Sequence, residues 1–159
     1  MSTFEKIGQQ EIEELYNKYA KSWGRINFEA FKDLMFHKYQ IQGEDNVRLL
    51  RFIFEALDGE GFFNFDDGHL NLDEFKKMMS FFPKEMQSQH MTLVIILFNV
   101  LDKNHDRTID RRELLYFLRK LRKQCAELVS KEILFNYDEN QDGVMDFNEF
   151  VEFLKSNSF

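Results

Sequence analysis

Two twelve-residue stretches set 36 residues apart, DKNHDRTIDRRE at 102–113 and DENQDGVMDFNE at 138–149, restrict this chain more than any other feature. Each has an oxygen-bearing side chain at positions 1, 3, 5, 9 and 12, and an apolar residue, Ile109 or Met145, at position 8. Val94, Leu97, Phe98 and Leu101 precede the first stretch, and Ile133, Leu134 and Tyr137 precede the second. Leu114, Phe117, Leu118 and Leu121 follow the first, as Phe150, Phe153 and Leu154 follow the second. These apolar residues recur at helical spacing, so each polar loop is predicted to join two helices with one inward face apiece. A unit of this size cannot bury that face alone, and the repeat implies side-by-side pairs.

The same template has two weaker copies upstream. Ile12, Leu15, Tyr16 and Tyr19 lead into AKSWGRINFEAF, and Leu50, Ile53, Phe54 and Leu57 lead into DGEGFFNFDDGHLNLDEF. Four helix–loop–helix units therefore fill the chain. The expected fold is all-α, with the units paired into two lobes, 1–83 and 84–159, and with short β pairings between neighbouring loops at position 8. Pro83 marks the joint, because it lacks a backbone donor and its ring clashes with the preceding helical turn. Composition agrees: the chain is 43% hydrophobic with 19 Phe, enough for a packed interior, while one Pro and seven Gly are too few for the turns of a β-sandwich.

An oxygen set at positions 1, 3, 5, 9 and 12, completed by a backbone carbonyl at 7, suits a hard dication of calcium's size, which takes six to eight oxygens at about 2.3–2.6 Å. On these loops and their flanking helices the chain resembles the EF-hand family, and within it four-hand proteins similar to calmodulin and calcineurin B. The likeness is strong over 90–155 and weaker before that. It implies calcium as the bound ion. One site would take side-chain oxygens from Asp102, Asn104, Asp106, Asp110 and Glu113 with the Thr108 carbonyl. The other would take Asp138, Asn140, Asp142, Asp146 and Glu149 with the Val144 carbonyl. Loop 138–149 has Gly143 at the sharply turning position 6 and five acidic residues without a base, whereas loop 102–113 has Arg107 there and a formal charge of zero. The last loop is expected to bind first and more tightly.

The two upstream loops differ. The first, Ala20 to Ala30, is one residue short and has Glu29 as its one carboxylate, so no calcium is expected in it. Ile26 can still pair with Leu70 of the second loop. The second loop counts differently from its two ends: the preceding apolar stripe makes Asp58 position 1, while Gly68, Leu70 and Glu74 fall at positions 6, 8 and 12 counted backward. Both fit if five residues are inserted between. Two readings stay open. It is an atypical third site made by Asp58, Asp67, the His69 carbonyl, Asn71 and Glu74, or a loop that no longer binds, with Phe62, Phe63 and Phe65 as contact residues.

A net charge of −7 repels a phosphate backbone, so nucleic acid is not the expected partner. Cys125 is the single cysteine, and the start of the chain lacks the basic and apolar regions of a signal peptide, which together point to the cytoplasm. The longest aliphatic run, LVIILF at 93–98, is too short to span a bilayer. No arrangement of His37, His69, His90, His105 or Cys125 suggests catalysis, and no enzyme is expected. The basic run Arg111, Arg112, Arg119, Lys120, Arg122 and Lys123 is a solvated helix face or a contact for an anionic partner, peripheral membrane included. Met78, Met79, Met86 and Met91 near the joint are core or target-contacting. The expected function is a calcium sensor that exposes an apolar groove to an amphipathic helix of a target protein; a calcium buffer and a light-chain-like structural subunit are the alternatives.

Overall fold

The computed structural model describes residues 8–59, 68–83 and 88–156. The described residues are all-α apart from two loop pairings. Four helix–loop–helix units follow one another: α1 (Gln9–Tyr19) with α2 (Phe28–Tyr39), α3 (Glu44–Leu57) with α4 (Leu72–Ser80), α5 (Gln89–Leu101) with α6 (Arg111–Lys120), and α7 (Ala126–Tyr137) with α8 (Phe147–Ser156). Strands β1 (Ile26–Asn27) and β2 (His69–Leu70) pair antiparallel in the register Ile26 to Leu70, as position 8 demands. Ile109 and Met145 form the matching antiparallel bridge downstream, with reciprocal amide-to-carbonyl bonds of 2.8 and 2.9 Å.

The helices that leave the loops begin where position 9 offers a cap. The Asn27, Asn71, Asp110 and Asp146 side chains accept from the amides of Ala30, Glu74, Glu113 and Glu149, three residues on. Asn71 with Glu74 and Asp110 with Glu113 form reciprocal capping boxes, which supply partners to amides that the first helical turn leaves unbonded. In the first loop, Ala30 occupies the place that glutamate holds in the other three. The loss of that carboxylate is the structural reason why the first loop differs.

The chain divides into two compact units, Met1–Leu97 and Phe98–Phe159. The division falls inside α5, beyond the Pro83 boundary drawn from the sequence. At the start of that helix the Gln89 side-chain amide donates to the carbonyl of Gln40, the C-cap of α2, at 2.9 Å. In the first unit Phe54 packs against Phe28 and Phe31 at 5.5 and 5.7 Å between ring centres, and Tyr16 meets Phe75 at 5.6 Å. Leu50, Ile53, Leu57, Met78 and Met79 are buried with them, which assigns both methionines to the core. Met91 is half-buried, and Met86 lies outside the described residues. In the second unit Phe98 packs edge-on against Phe147 and Phe150 at 5.3 and 5.5 Å, with Phe153 at 6.1 Å from Phe150 and Tyr137 at 5.5 Å from Phe153. Leu114, Phe117, Leu118 and Ile133 complete this core.

Tyr16 ties the first unit together in a way that periodicity does not disclose. Its hydroxyl lies 2.7 Å from the Gly24 carbonyl and 3.1 Å from the Leu70 carbonyl. One proton is shared between the first loop and the strand of the second. Burial raises the phenol's pKa above its ordinary value, so the group stays a donor across the physiological range. Tyr16→Phe should destabilise the apo chain by about 1–3 kcal/mol, since it leaves a carbonyl without its donor; urea unfolding in the presence of chelator measures the loss, and an unchanged midpoint would refute the tie.

Candidate metal centres

Loop 102–113 is folded by its own side chains. Asp102 accepts from the amides of Asp106 (3.1 Å) and Arg107 (2.9 Å), one on each oxygen. Asn104 accepts from the Asp106 amide at 3.1 Å, and Asp106 from both the amide and the hydroxyl of Thr108 at 2.9 and 2.7 Å, bonds that hold the Asp106 carboxyl below the usual carboxylate range. Glu113 closes the ring, one oxygen taking the Lys103 amide and the other the Asp110 amide, each at 2.9 Å. Loop 138–149 repeats the backbone-amide bonds of this scheme. Asp138 accepts from Asp142 and Gly143, Asn140 from Asp142, Asp142 from Val144, and Glu149 from Glu139 and Asp146 at 2.9 and 2.8 Å. The structure thus gathers the side chains of both sequence-derived ligand sets around their loops, with the position-7 residues Thr108 and Val144 beside them.

Positions 4 and 6 are left-handed in both loops: His105 and Arg107 at φ 58° and 67°, Gln141 and Gly143 at 58° and 85°. The sequence flagged position 6 through Gly143, but position 4 carried no such signal. Because Arg107 already holds this conformation in the folded loop, its strain weighs on the fold rather than on ion uptake. The difference expected between the loops rests instead on charge, the four bases of one against none in the other.

The donor chemistry fits calcium. Asp102 is 3% exposed, and Glu113 and Glu149 are each 7% exposed, yet the partners that hold these carboxylates are neutral amides. Burial pushes the Glu113 carboxyl above its ordinary pKa. Buried like charges without a cation are costly, and a hard dication among oxygens removes the cost. Among the described residues no three carboxylate, thiol or imidazole groups already converge on one point.

The second loop reproduces this frame at both ends. Asp58 accepts from the Gly68 amide at 2.7 Å, as Asp102 and Asp138 do from position 6, and Gly68 has the same left-handed φ of 74°. Glu74 accepts from the amides of Gly59 (3.2 Å) and Asn71 (2.9 Å), the bonds that Glu113 and Glu149 make to positions 2 and 9. Asp58 is thus position 1, Gly68 position 6 and Glu74 position 12, and the extra residues fall between positions 2 and 6. His69 lies in β2 at position 7. Asp67, Phe62, Phe63 and Phe65 lie outside the described residues.

Residues 91–155 match the family described as an EF-hand domain pair. The chain is 26% identical over 147 residues to polcalcin Cup a 4 of Hesperocyparis arizonica, covering 92% of this chain and 81% of that one. It is 39% identical over 67 residues to the calcium-binding mitochondrial carrier protein SCaMC-2 of Xenopus tropicalis, and 39% identical over 59 residues to the mitochondrial adenyl nucleotide antiporter SLC25A24 of Oryctolagus cuniculus. Those matches cover 42% and 37% of this chain but span only 13% and 12% of the carriers. Residues 91–155 thus carry an EF-hand domain pair, and the likenesses together with the loop geometry support calcium as the ion this chain binds.

Glu74 yields a pH test of the buried frame. It is 5% exposed, and its carboxyl is pushed up to about 7, first by burial and further by the charge of Asp58, against the lowering effect of its amide bonds. A raised folded-state pKa means that stability is fully present below the unfolded value near 4.5 and is lost as pH rises through about 7. In chelator, the wild type should lose on the order of 3 kcal/mol over that interval relative to Glu74→Gln, which lacks the titration. Parallel stability profiles for the two proteins would refute the assignment.

Proposed function

We propose that this chain is a non-enzymatic calcium sensor of the cytoplasm, whose second unit takes one ion in loop 102–113 and one in loop 138–149, the latter more tightly. The observation that carries this reading is the placement of Glu113 and Glu149. Each holds both ends of its loop through amide bonds, and each is followed directly by a core residue, Leu114 or Phe150. An ion that claims either carboxylate must loosen those bonds and shift the helix that begins there. Leu118 of α6, Phe150 and Phe153 of α8 and Phe98 of α5 are buried, and a shift would uncover them for an apolar helix of a target protein. The exposed, free thiol of Cys125 suits a reducing compartment.

The reading counts two ions. Asp58, Asn71 and Glu74 stand as their counterparts do in the other loops, and a further calcium event lost on Glu74→Gln would raise the count to three. A buffer would bind without uncovering apolar surface, and a structural subunit would hold its target with or without the ion.

In calorimetric titration, Glu149→Gln should remove the tighter calcium event and Glu113→Gln the weaker one, because position 12 supplies two of the oxygens. Calcium should raise the emission of an apolar-surface dye with the wild type and not with the double variant. Ion uptake without a dye response would make the protein a buffer.

A further inference from the structure

The 36-residue period places two equivalent clefts on the second unit, one beside each loop, and they differ in charge, the first balanced between two bases and two carboxylates and the second wholly acidic. The first, of about 380 Å³, is lined by Lys103, Asn104, Asp110, Arg112, Glu113 and Tyr116. The second, of about 250 Å³, is lined by the residues at the same loop positions: Glu139, Asn140, Asp146, Asn148, Glu149 and Glu152. The lining differs at positions 2, 11 and 15, where Lys103, Arg112 and Tyr116 face Glu139, Asn148 and Glu152.

The first cleft is organised around an aromatic ring. The Lys103 ammonium sits 3.2 Å from the centre of the Tyr116 ring, and the Lys120 ammonium is 5.6 Å from the same centre. Ser156 stands in the place of Lys120 in the other unit of the repeat. The Arg112 side chain is 90% exposed at the mouth, with its guanidinium 3.4 Å from Asp110. Two cations thus line this cleft, and the Lys120 ammonium stands beside its Tyr116 ring. Its two carboxylates, Asp110 and Glu113, both belong to the oxygen set of loop 102–113. An ion in that loop offsets them and leaves the cleft net positive, whereas the cleft beside loop 138–149 stays negative even with its ion in place.

We infer that the cleft formed by Lys103, Arg112, Tyr116 and Lys120 is a binding site for a phosphate monoester, opened electrostatically by calcium in loop 102–113. The inference rests on the reading proposed for that loop. A phosphate monoester carries close to two negative charges and three terminal oxygens, which suits a guanidinium fork with two ammonium groups better than a single carboxylate would. The bound cation adds the largest local charge. The bases of this loop then have a role that a calcium loop alone does not give them: they disfavour the ion by itself and favour the ion together with an anion. Ion and phosphate are coupled ligands, and each must tighten the other by the same factor.

Calcium titration of the full chain with and without O-phosphoserine tests this. The event assigned to loop 102–113 should tighten by about fivefold or more in phosphoserine, within the usual span of such couplings. The event of loop 138–149 should not tighten, which controls for any calcium that phosphoserine itself sequesters. The double change Lys103→Glu with Arg112→Asn, which copies the residues of the other cleft, should abolish the tightening, and its retained loop 138–149 event would show that it has folded. Two intact events with no tightening in the wild type would overturn the phosphate site and leave the calcium reading standing. Absence of the loop 102–113 event in both buffers would overturn both. Sedimentation with phosphatidylcholine vesicles, with and without phosphatidic acid, separates the sources of the ester: retention on the phosphatidic acid vesicles in calcium assigns a lipid headgroup, and tightening in phosphoserine without retention assigns a soluble ester.

Discussion

Each of the three carboxylate-bearing loops is closed by a single glutamate whose two oxygens accept from amides near the two ends of the same loop. This pair of bonds fixes much else. It sets the angle at which the exiting helix begins, because the glutamate is also the third residue of that helix. It buries a charge with neutral partners, which keeps the closed loop near the limit of what burial tolerates. It also puts the group that would grip an ion at the point where helix and core meet. Loop shape, charge and helix packing are therefore not separable in this protein.

The first loop shows the effect of losing that glutamate. Ala30 stands in its place, and the adjacent Glu29 points to solvent and pairs with Lys32 at 2.6 Å, which holds its carboxyl below the ordinary range. Closure falls to Tyr16, whose hydroxyl reaches the carbonyls of Gly24 and Leu70. The first unit thus has a constitutive tie on one side and an electrostatically loaded one on the other, at Glu74. The second unit has two loaded ties that differ in surrounding charge. A gradation from permanent to conditional closure runs across the four loops.

Much of this was legible in the residues. The 36-residue period located the helices of the second unit, and the apolar residue at position 8 identified both loop pairings, Ile26 with Leu70 and Ile109 with Met145. In the second loop, counting from either end was right, since the insertion interrupts neither the position-1 nor the position-12 bonding. The features that escaped have physical reasons. A tyrosine on an inward stripe reads as core, and only coordinates show that its hydroxyl reaches two carbonyls. The left-handed turns at His105 and Gln141 have no residue preference strong enough to mark them. The tie from Gln89 to Gln40 joins residues 49 apart in sequence, beyond the reach of any local pattern. The glutamate three residues after the capping asparagine or aspartate is the sign of closure, and in the first loop Ala30 stands in its place after Asn27.

Trp23 sits at φ 62° on the turn of that altered loop, and its side chain is 96% exposed. An indole so placed is bathed in solvent in the folded chain much as it would be in the unfolded one. Its emission is consequently that of a hydrated tryptophan, open to collision with soluble quenchers, and its quantum yield is set by water rather than by the core. As the single Trp of the chain, it belongs to the first unit alone. The fold leaves it nearly blind to events a few residues away, whereas Tyr16 and Tyr137 pack against core phenylalanines at 5.6 and 5.5 Å.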